Sequence, residues 1–401
     1  MEQEPLHESQ TSVQPHPNMK KVVGPECFIF LIIFFGLCAA LSSQMGTINM
    51  MNTLMNTAYQ LLLDTVFKIM AVAVIAGAVA GLLTEFGVVA LCNKLLSPLM
   101  KPLYDLPGAS IIGIFATYLS DNPAILSLAD DIGFRRFFKK YQLPALTHIG
   151  TAFGRGMSIT TYMMGINSPT GESFVVPALI GNLGAIIGSV VSVRIMLHFT
   201  KKEYGTTEYC YVDENSGPAL TDYRIVRSGS VGSRFMTAML EGGKSGVDLG
   251  LAIIPGVLII CTVVMMLTNG PSADGTFTGA AYEGIGLLPA LGEKIQFLLQ
   301  PLFGFTSTQA ISVPVTALGA AGAAIGLIPS LVQNSLATGN DVAVFTAMCM
   351  CWSGYLSTHV AMMDSLKCSK LTGKAIISHT FGGLAAGISA HYLYLLVSTL
   401  G

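Results

Sequence analysis

The sequence predicts an all-α polytopic membrane protein, built as an inverted repeat with two re-entrant hairpins and interfacial helices. Three observations predict it. The 401 residues are 52% hydrophobic and only 11% charged, against roughly a quarter charged in an ordinary soluble domain. Apolar runs of bilayer-crossing length recur along the chain. One of them, 108–130, is broken at its middle by Ser120-Asp121-Asn122-Pro123, where the proline removes an amide donor and disfavours helix at Asn122. Backbone groups that lose their partners at membrane depth are tolerated only inside protein or beside a wet cavity.

Taken in order, residues 1–26 are polar, contain proline and carry Lys20-Lys21 near their end, a composition that predicts a disordered cytoplasmic tail. The apolar stretch that follows lies too far from the N-terminus for a signal-peptide core, so 27–58 reads as a retained first span and a connector. Further apolar runs fall at 59–83, 108–130, 143–165, 173–199, 246–268, 308–330, 342–366 and 375–399. Most have the roughly 20 residues that a ~30 Å hydrocarbon core requires of a helix. Segments 87–104 and 288–304 mix Lys94, Lys101, Glu293 and Lys294 with leucines and prolines and predict helices lying in the interface.

Charge sets the topology. Arg135-Arg136 with Lys139-Lys140, the linker 200–245 with Arg224, Arg227, Arg234 and Lys244, and Lys367, Lys370 and Lys374 all belong on the cytoplasmic side by the positive-inside rule. A full crossing by 108–130 would put the Arg-Arg/Lys-Lys loop outside; a hairpin entering and leaving on the cytoplasmic side removes the conflict. The same reasoning makes 308–330 a hairpin from the outside, weakened at Ser312, Pro314, Gly319 and Gly322. The count is then seven spans and two hairpins, with the N-terminus inside and the C-terminus outside. Two halves of opposite orientation emerge, 59–199 and 246–401, each running span, interfacial helix, hairpin, span, span. A shift of 199 residues pairs Leu99, Pro102, Leu103, Ile112, Thr117, Leu119 and Ala124 with Leu298, Pro301, Leu302, Ile311, Thr316, Leu318 and Ala323, and inverted repeats with broken helices are a frequent plan of secondary transporters.

Composition also excludes functions. A net charge of -2 lacks the basic surface that nucleic-acid binding needs. Eight cysteines without a CxxC pair predict neither a disulfide framework nor a metal site; Cys349 and Cys351 point to different helix faces and read as small buried hydrophobes. No phosphate-binding loop or catalytic triad is present, so the chain reads as neither an ATP-driven pump nor an enzyme.

Candidate chemistry lies in the polar interruptions. Ser120, Asp121 and Asn122 bring a hydroxyl, a carboxylate and an amide to the midplane, where a carboxylate is a functional candidate by default; the same residue types also cap half-helices. Arg155, in the polar run that holds Thr151, Gly154, Gly156 and Ser158, needs an acid or a wet cavity. Asp121 is the nearest acid by connectivity, either as a lock on the hairpin or with both groups facing a solute. In the second half Ser357, Thr358, His359 and Asp364 take the corresponding part. Trp352, the single tryptophan, fits an interfacial position better than ligand stacking, and His379 and His391 fit interhelical hydrogen bonding. A coupling sodium ion would suit Ser120, Thr151 and Ser158; a coupling proton would suit Asp121, Asp364 or His359.

On the interfacial Leu95-Leu96-Ser97-Pro98-Leu99-Met100-Lys101-Pro102-Leu103, the hairpin Ser120-Asp121-Asn122-Pro123-Ala124, and Gln300-Pro301-Leu302 with Gly319-Ala320-Ala321-Gly322-Ala323-Ala324, the chain resembles the nucleoside-transporter Gate domain family. That family includes concentrative nucleoside transporters, ferrous-iron transport protein B, spore maturation proteins A and B, and bacterial nucleoside recognition membrane proteins. The resemblance implies a concentrative-nucleoside-transporter-like fold over 59–399, in the bacterial inner membrane, as a secondary transporter of a small polar, nucleoside-like solute coupled to Na+ or H+. It places solute contacts at Ser120, Asp121, Asn122, Thr151, Arg155, Thr316, Ser357, Thr358 and His359, and ion coupling at Asp121, Ser158 and Asp364. The glutamate-bearing hairpin motif that reads ribose hydroxyls in true nucleoside carriers is not found, nor are the gate cysteine and GTPase domain of the iron-transport member. The alternative is a non-transporting assembly or accessory protein akin to the spore maturation pair. Homo-oligomerisation is left open.

Overall fold

The computed structural model describes residues 22–122, 124–130, 132–210, 226–272 and 274–400. Most of the N-terminal tail, Pro123, linker residues 211–225 and the side chain of Ser357 lie outside the described residues. The chain is all-α and polytopic. Helix α1 (Pro25–Met45) ends where Gly46 takes a left-handed φ of 78°. Its phenylalanines and isoleucines from Phe28 to Phe35 are exposed, as a lipid-facing helix requires. Helix α2 (Thr47–Gln60) runs through a π turn at Leu61–Val66 into α3 (Phe67–Glu85). The positively rotated Gly87 then redirects the chain into the amphipathic α4 (Val88–Tyr104). This helix exposes Leu91, Leu95, Leu99 and Leu103 while burying Met100 and Tyr104, the pattern of an interfacial helix.

The first hairpin is α5 (Ser110–Leu119) and α6 (Ala124–Asp130), followed by the single turn α7 (Ile132–Arg135). The next span is broken in two, α8 (Leu146–Phe153) and α9 (Gly156–Met164), and α10 (Val175–Tyr204) closes the first half without a break. The second half repeats the plan. Helix α11 (Val231–Pro255) passes through a π turn at Gly256–Cys261 into α12 (Thr262–Thr268); α13 (Leu287–Lys294) and α14 (Gln296–Phe303) are the interfacial helix in two pieces; α15 (Ser312–Gly319) and α16 (Ala321–Gln333) are the second hairpin. The second broken span is α17 (Gly339–Cys351) and α18 (Tyr355–Ser365), and α19 (Thr372–Leu400) ends the chain. Among the described residues α1, α10 and the stretch Ser369–Leu400 are long and apolar enough to cross a bilayer unbroken; the other crossings carry π turns or breaks.

The boundaries read from sequence need two corrections. Residues 47–58, taken as part of a connector, are the first turns of the repeat's opening helix. Residues 231–245, taken as linker, are helical. The glycines there are a packing surface. A Cβ at Gly242 would collide with the carbonyl of Gly77, one at Gly77 with the carbonyl of Gly242, and one at Gly81 with the carbonyl of Ala238. Helices α3 and α11 therefore cross antiparallel at backbone contact, which small residues permit in a membrane. The closing helices α10 and α19 do the same through Gly184 and Gly188 against Ala386 and Gly382. Helix α17 is buried along its whole length at the centre.

Ion pairs fix the ends. Buried Glu85 accepts Arg227 and Arg234, each at 2.7 Å, and Arg234 holds its carboxyl below the ordinary value. The 269–286 loop is organised by Glu283, whose carboxylate accepts Ser272 Oγ at 2.5 Å, Thr278 Oγ1 at 2.7 Å and the Gly279 amide at 3.0 Å. Burial alone would raise this carboxyl, but these donors outweigh it and hold it at about 2. A depressed folded-state value means that the stabilisation is complete above the ordinary 4.5 and is lost as pH falls toward about 2. Glu283→Gln should therefore melt lower than the parent at neutral pH, and the gap should narrow between about pH 5 and about pH 3; a pH-independent gap in thermal melts would contradict this role.

Candidate functional site

The four helix interruptions meet. The first hairpin turns through Ser120, at φ −131° and ψ −110°, and the first broken span turns at Gly154-Arg155, where Arg155 adopts a left-handed φ of 61°. The Arg155 amide donates to the Thr117 carbonyl at 3.2 Å, tying the broken span to the hairpin. In the second half the Gly354 amide donates to the Ala317 carbonyl at 3.1 Å, and Gly354 has φ 65°. Positions 155 and 354 are 199 residues apart, as are Thr117 and Thr316, while the two carbonyl acceptors, Thr117 and Ala317, are offset by one more residue. Each threonine hydroxyl donates back to the carbonyl one turn earlier, Gly113 at 2.9 Å and Ser312 at 2.7 Å. The repeat thus extends from the hairpins into the broken helices.

The asymmetry within that match carries information. Left-handed backbone costs a non-glycine residue about 1–2 kcal/mol, and the second repeat uses glycine there. The first repeat holds an arginine in the same conformation and uses its side chain: Arg155 Nη2 donates to Asp121 Oδ2 at 2.7 Å. The pair is half-buried, with side-chain exposures of 24% for Arg155 and 39% for Asp121. The other Asp121 oxygen accepts the Asn122 amide at 2.7 Å. Asp121 therefore holds the hairpin turn at Asn122 and pairs with the guanidinium at the same time.

Asn122 joins the halves. It is buried, its Nδ2 donates to the Ser353 carbonyl in the break of the second span at 3.0 Å, and a Cβ on Gly154 would collide with its Oδ1. Gly319, at the end of α15, lies against Gly354. Both hairpin tips and both helix breaks are thus contiguous around Asn122. Asn122 Oδ1, Arg155 Nε and the hydroxyl of Thr151, one turn before the break, are buried without a hydrogen-bond partner among the described residues. Such atoms cost roughly 1–3 kcal/mol each unless something completes them.

The remaining residues are placed as follows. Ser120 is exposed at the tip, Ser158 is half-buried one turn past the first break, and Thr316 is buried one turn before the second hairpin's end. Thr358 Oγ1 donates to the Gly354 carbonyl at 3.1 Å. His359 is turned away from the tips, toward His148 and His379. Asp364 is exposed at the end of α18 and accepts Ser369 Oγ at 2.8 Å. Trp352 departs from the interfacial reading: it is buried in the break itself, with its indole N–H on the His379 carbonyl at 3.4 Å. Its indole packs where a Cβ on Gly383 would stand. Sequence reasoning also missed Asn182, which accepts Tyr118 Oη at 2.9 Å and donates to Thr160 Oγ1 at 2.8 Å. Two apolar clefts of about 310 Å³ flank Tyr118; neither is lined by Asp121, Asn122 or Arg155.

No family model and no curated protein matches the chain. Solved structures of CNTnw, a concentrative nucleoside transporter, are similar to it. An inward-facing, substrate-bound CNTnw structure superposes with a TM-score of 0.50 at 13% identity, over 92% of this chain and 87% of that one. A doubly substituted CNTnw in an outward-facing state gives 0.50 and 13%, over 91% and 84%. The broken helices, the paired hairpins and the inverted repeat together are the concentrative-nucleoside-transporter-like fold.

Proposed function

We propose that the chain is an ion-coupled secondary transporter of a small polar, nucleoside-like solute, which binds where the hairpin tips and helix breaks meet. The observation that carries this reading is Asn122: one buried side chain touches both broken spans and keeps an unused acceptor, beside an arginine held in left-handed backbone next to Asp121. Ser120, Asp121, Asn122, Thr151, Arg155, Thr316, Ser357 and Thr358 contribute solute contacts, and Asp121 and Ser158 contribute coupling to Na+ or H+. His359 and Asp364 lie apart from this group and are left out. The Gate-family resemblance supports an inner-membrane location, and the distribution of basic residues supports a cytoplasmic N-terminus. In a background without native cysteines, Lys140→Cys and Thr276→Cys should then label from opposite sides of the membrane; labelling from one side would remove the inverted topology on which the site depends.

The reading is tested by thermal stabilisation of purified protein with a panel of nucleosides and related polar solutes. A ligand at a hundredfold excess over Kd stabilises by about 2.7 kcal/mol. Loss of one hydrogen bond to a neutral solute costs about 0.5–1.5 kcal/mol, so Asn122→Ala and Thr358→Val should each lower affinity by up to roughly tenfold, whereas Ser42→Ala in α1 should not. No stabilisation by any solute would favour the non-transporting membrane accessory protein.

A further inference from the structure

Three imidazoles from three helices meet in a fully buried cluster: His148 of α8, His359 of α18 and His379 of α19. Their ring centroids stand 4.8, 5.2 and 4.5 Å apart for the pairs 148–359, 148–379 and 359–379. One nitrogen from each ring lies within 4.8 Å of the other two. His148 lies more than two hundred residues from the other two in sequence, and the transport reading makes no use of them.

Hydrogen bonds to backbone carbonyls set the tautomers. His379 Nε2 lies against the Cys351 carbonyl, which can only accept, so Nε2 carries the proton and Nδ1 keeps the lone pair of the neutral ring. His359 Nδ1 is 3.1 Å from the Tyr355 carbonyl, so its Nε2 is the bare nitrogen. His148 Nδ1 is 3.1 Å from His379 Nδ1; it donates there, and His148 Nε2 is left bare. Both His148 Nε2 and His359 Nε2 are buried with no partner among the described residues. Two of the three rings thus already donate their outer N–H to a carbonyl, which is how an outer shell fixes the tautomer of a metal-ligating histidine.

We propose that His148, His359 and His379 bind one divalent transition-metal cation of the zinc or cobalt type. Neutral imidazole suits such ions. The 3.1 Å contact between His148 Nδ1 and His379 Nδ1 is a hydrogen bond that the ion would replace. With the His148 proton moved to Nε2, both Nδ1 atoms offer lone pairs, at a separation close to the roughly 3.3 Å between neighbouring ligands around a tetrahedral ion with bonds of about 2.0–2.1 Å. The widest separation, 4.8 Å, must close by about 1.5 Å to reach that spacing, a movement that rotations of both rings would share. The ion would join α8 and α18, one half of each broken span, to α19. It would therefore hold together the two elements whose breaks form the solute site, and it does so whether or not the protein transports.

The test uses purified full-length protein stripped with a chelator. Titration with Co2+, followed by visible absorption and equilibrium dialysis, should give one ion per chain with a low-coordinate ligand-field band, and Zn2+ should displace it and raise the melting temperature. His148→Asn, His359→Asn and His379→Gln should each weaken binding by about 10–100-fold or more, while His198→Ala, at an exposed histidine of α10, should leave it unchanged. Should the triad variants fail to fold, X-ray absorption of the zinc-loaded parent decides: a shell containing three imidazole nitrogens supports the site, and a shell of sulfur or oxygen ligands overturns it. Absence of stoichiometric Co2+ binding by the folded parent, or binding that survives all three substitutions, also overturns it.

Discussion

Gly154→Ala is expected to abolish measurable solute binding, although it adds a single methyl group. The backbone there, at φ −59° and ψ 126°, is open to alanine, so the effect is steric. The new Cβ would occupy the space of Asn122 Oδ1, and Asn122 is held from its other end by the Ser353 carbonyl. The asparagine must leave, and the first hairpin then loses its link to the second broken span. Overpacking of this kind costs about 1–3 kcal/mol, which thermal melts will read, and the loss of affinity should exceed that of Asn122→Ala because the tip itself moves. Pairing Gly154→Ala with Asn122→Ala removes the clashing side chain, so stability should recover and binding should return to the level of Asn122→Ala alone. If Gly154→Ala alone leaves both quantities unchanged, Asn122 does not occupy this position.

The second large effect is expected at the Asp121–Arg155 pair. Breaking a fully buried pair costs about 3–5 kcal/mol, but exposures of 39% and 24% leave each charge partly solvated. Loss of a charge-assisted hydrogen bond, about 1.5–3 kcal/mol, is the better guide for Asp121→Ala, which also removes the acceptor of the Asn122 amide. Arg155→Ala added to it should cost less than the sum of the single changes, with a coupling of about 0.5–3 kcal/mol; strict additivity would show that the two do not interact. Arg155→Gly should be milder than Arg155→Ala, because glycine accepts the left-handed φ of 61° at little cost.

The parts of this site legible in the sequence were those written as local conflicts. A polar break inside an apolar run marks the hairpin, an arginine in a span demands an acid, and loop charges orient both halves. The Asp121–Arg155 contact follows from those three facts. Long-range contacts left no such trace. Ser353 acts through its carbonyl, which every residue has, and Trp352 is buried because Gly383 leaves it room, a vacancy that no local pattern announces. Gly242 fell in the stretch read as linker from its basic residues; in α11 it makes the close crossing with α3 instead. The histidine cluster was invisible for the same reason, since only tertiary packing brings 148, 359 and 379 together.

Solute uptake into proteoliposomes tests the central claim most directly. With a nucleoside-like solute selected by thermal stabilisation, parent protein should accumulate it under an imposed inward gradient of Na+ or H+, and dissipating that gradient should stop accumulation. Gly154→Ala and Asn122→Ala, reconstituted to equal density, should show uptake that is absent and reduced, respectively. Folded parent protein that accumulates no such solute under either gradient, or full uptake by both variants, would contradict the account.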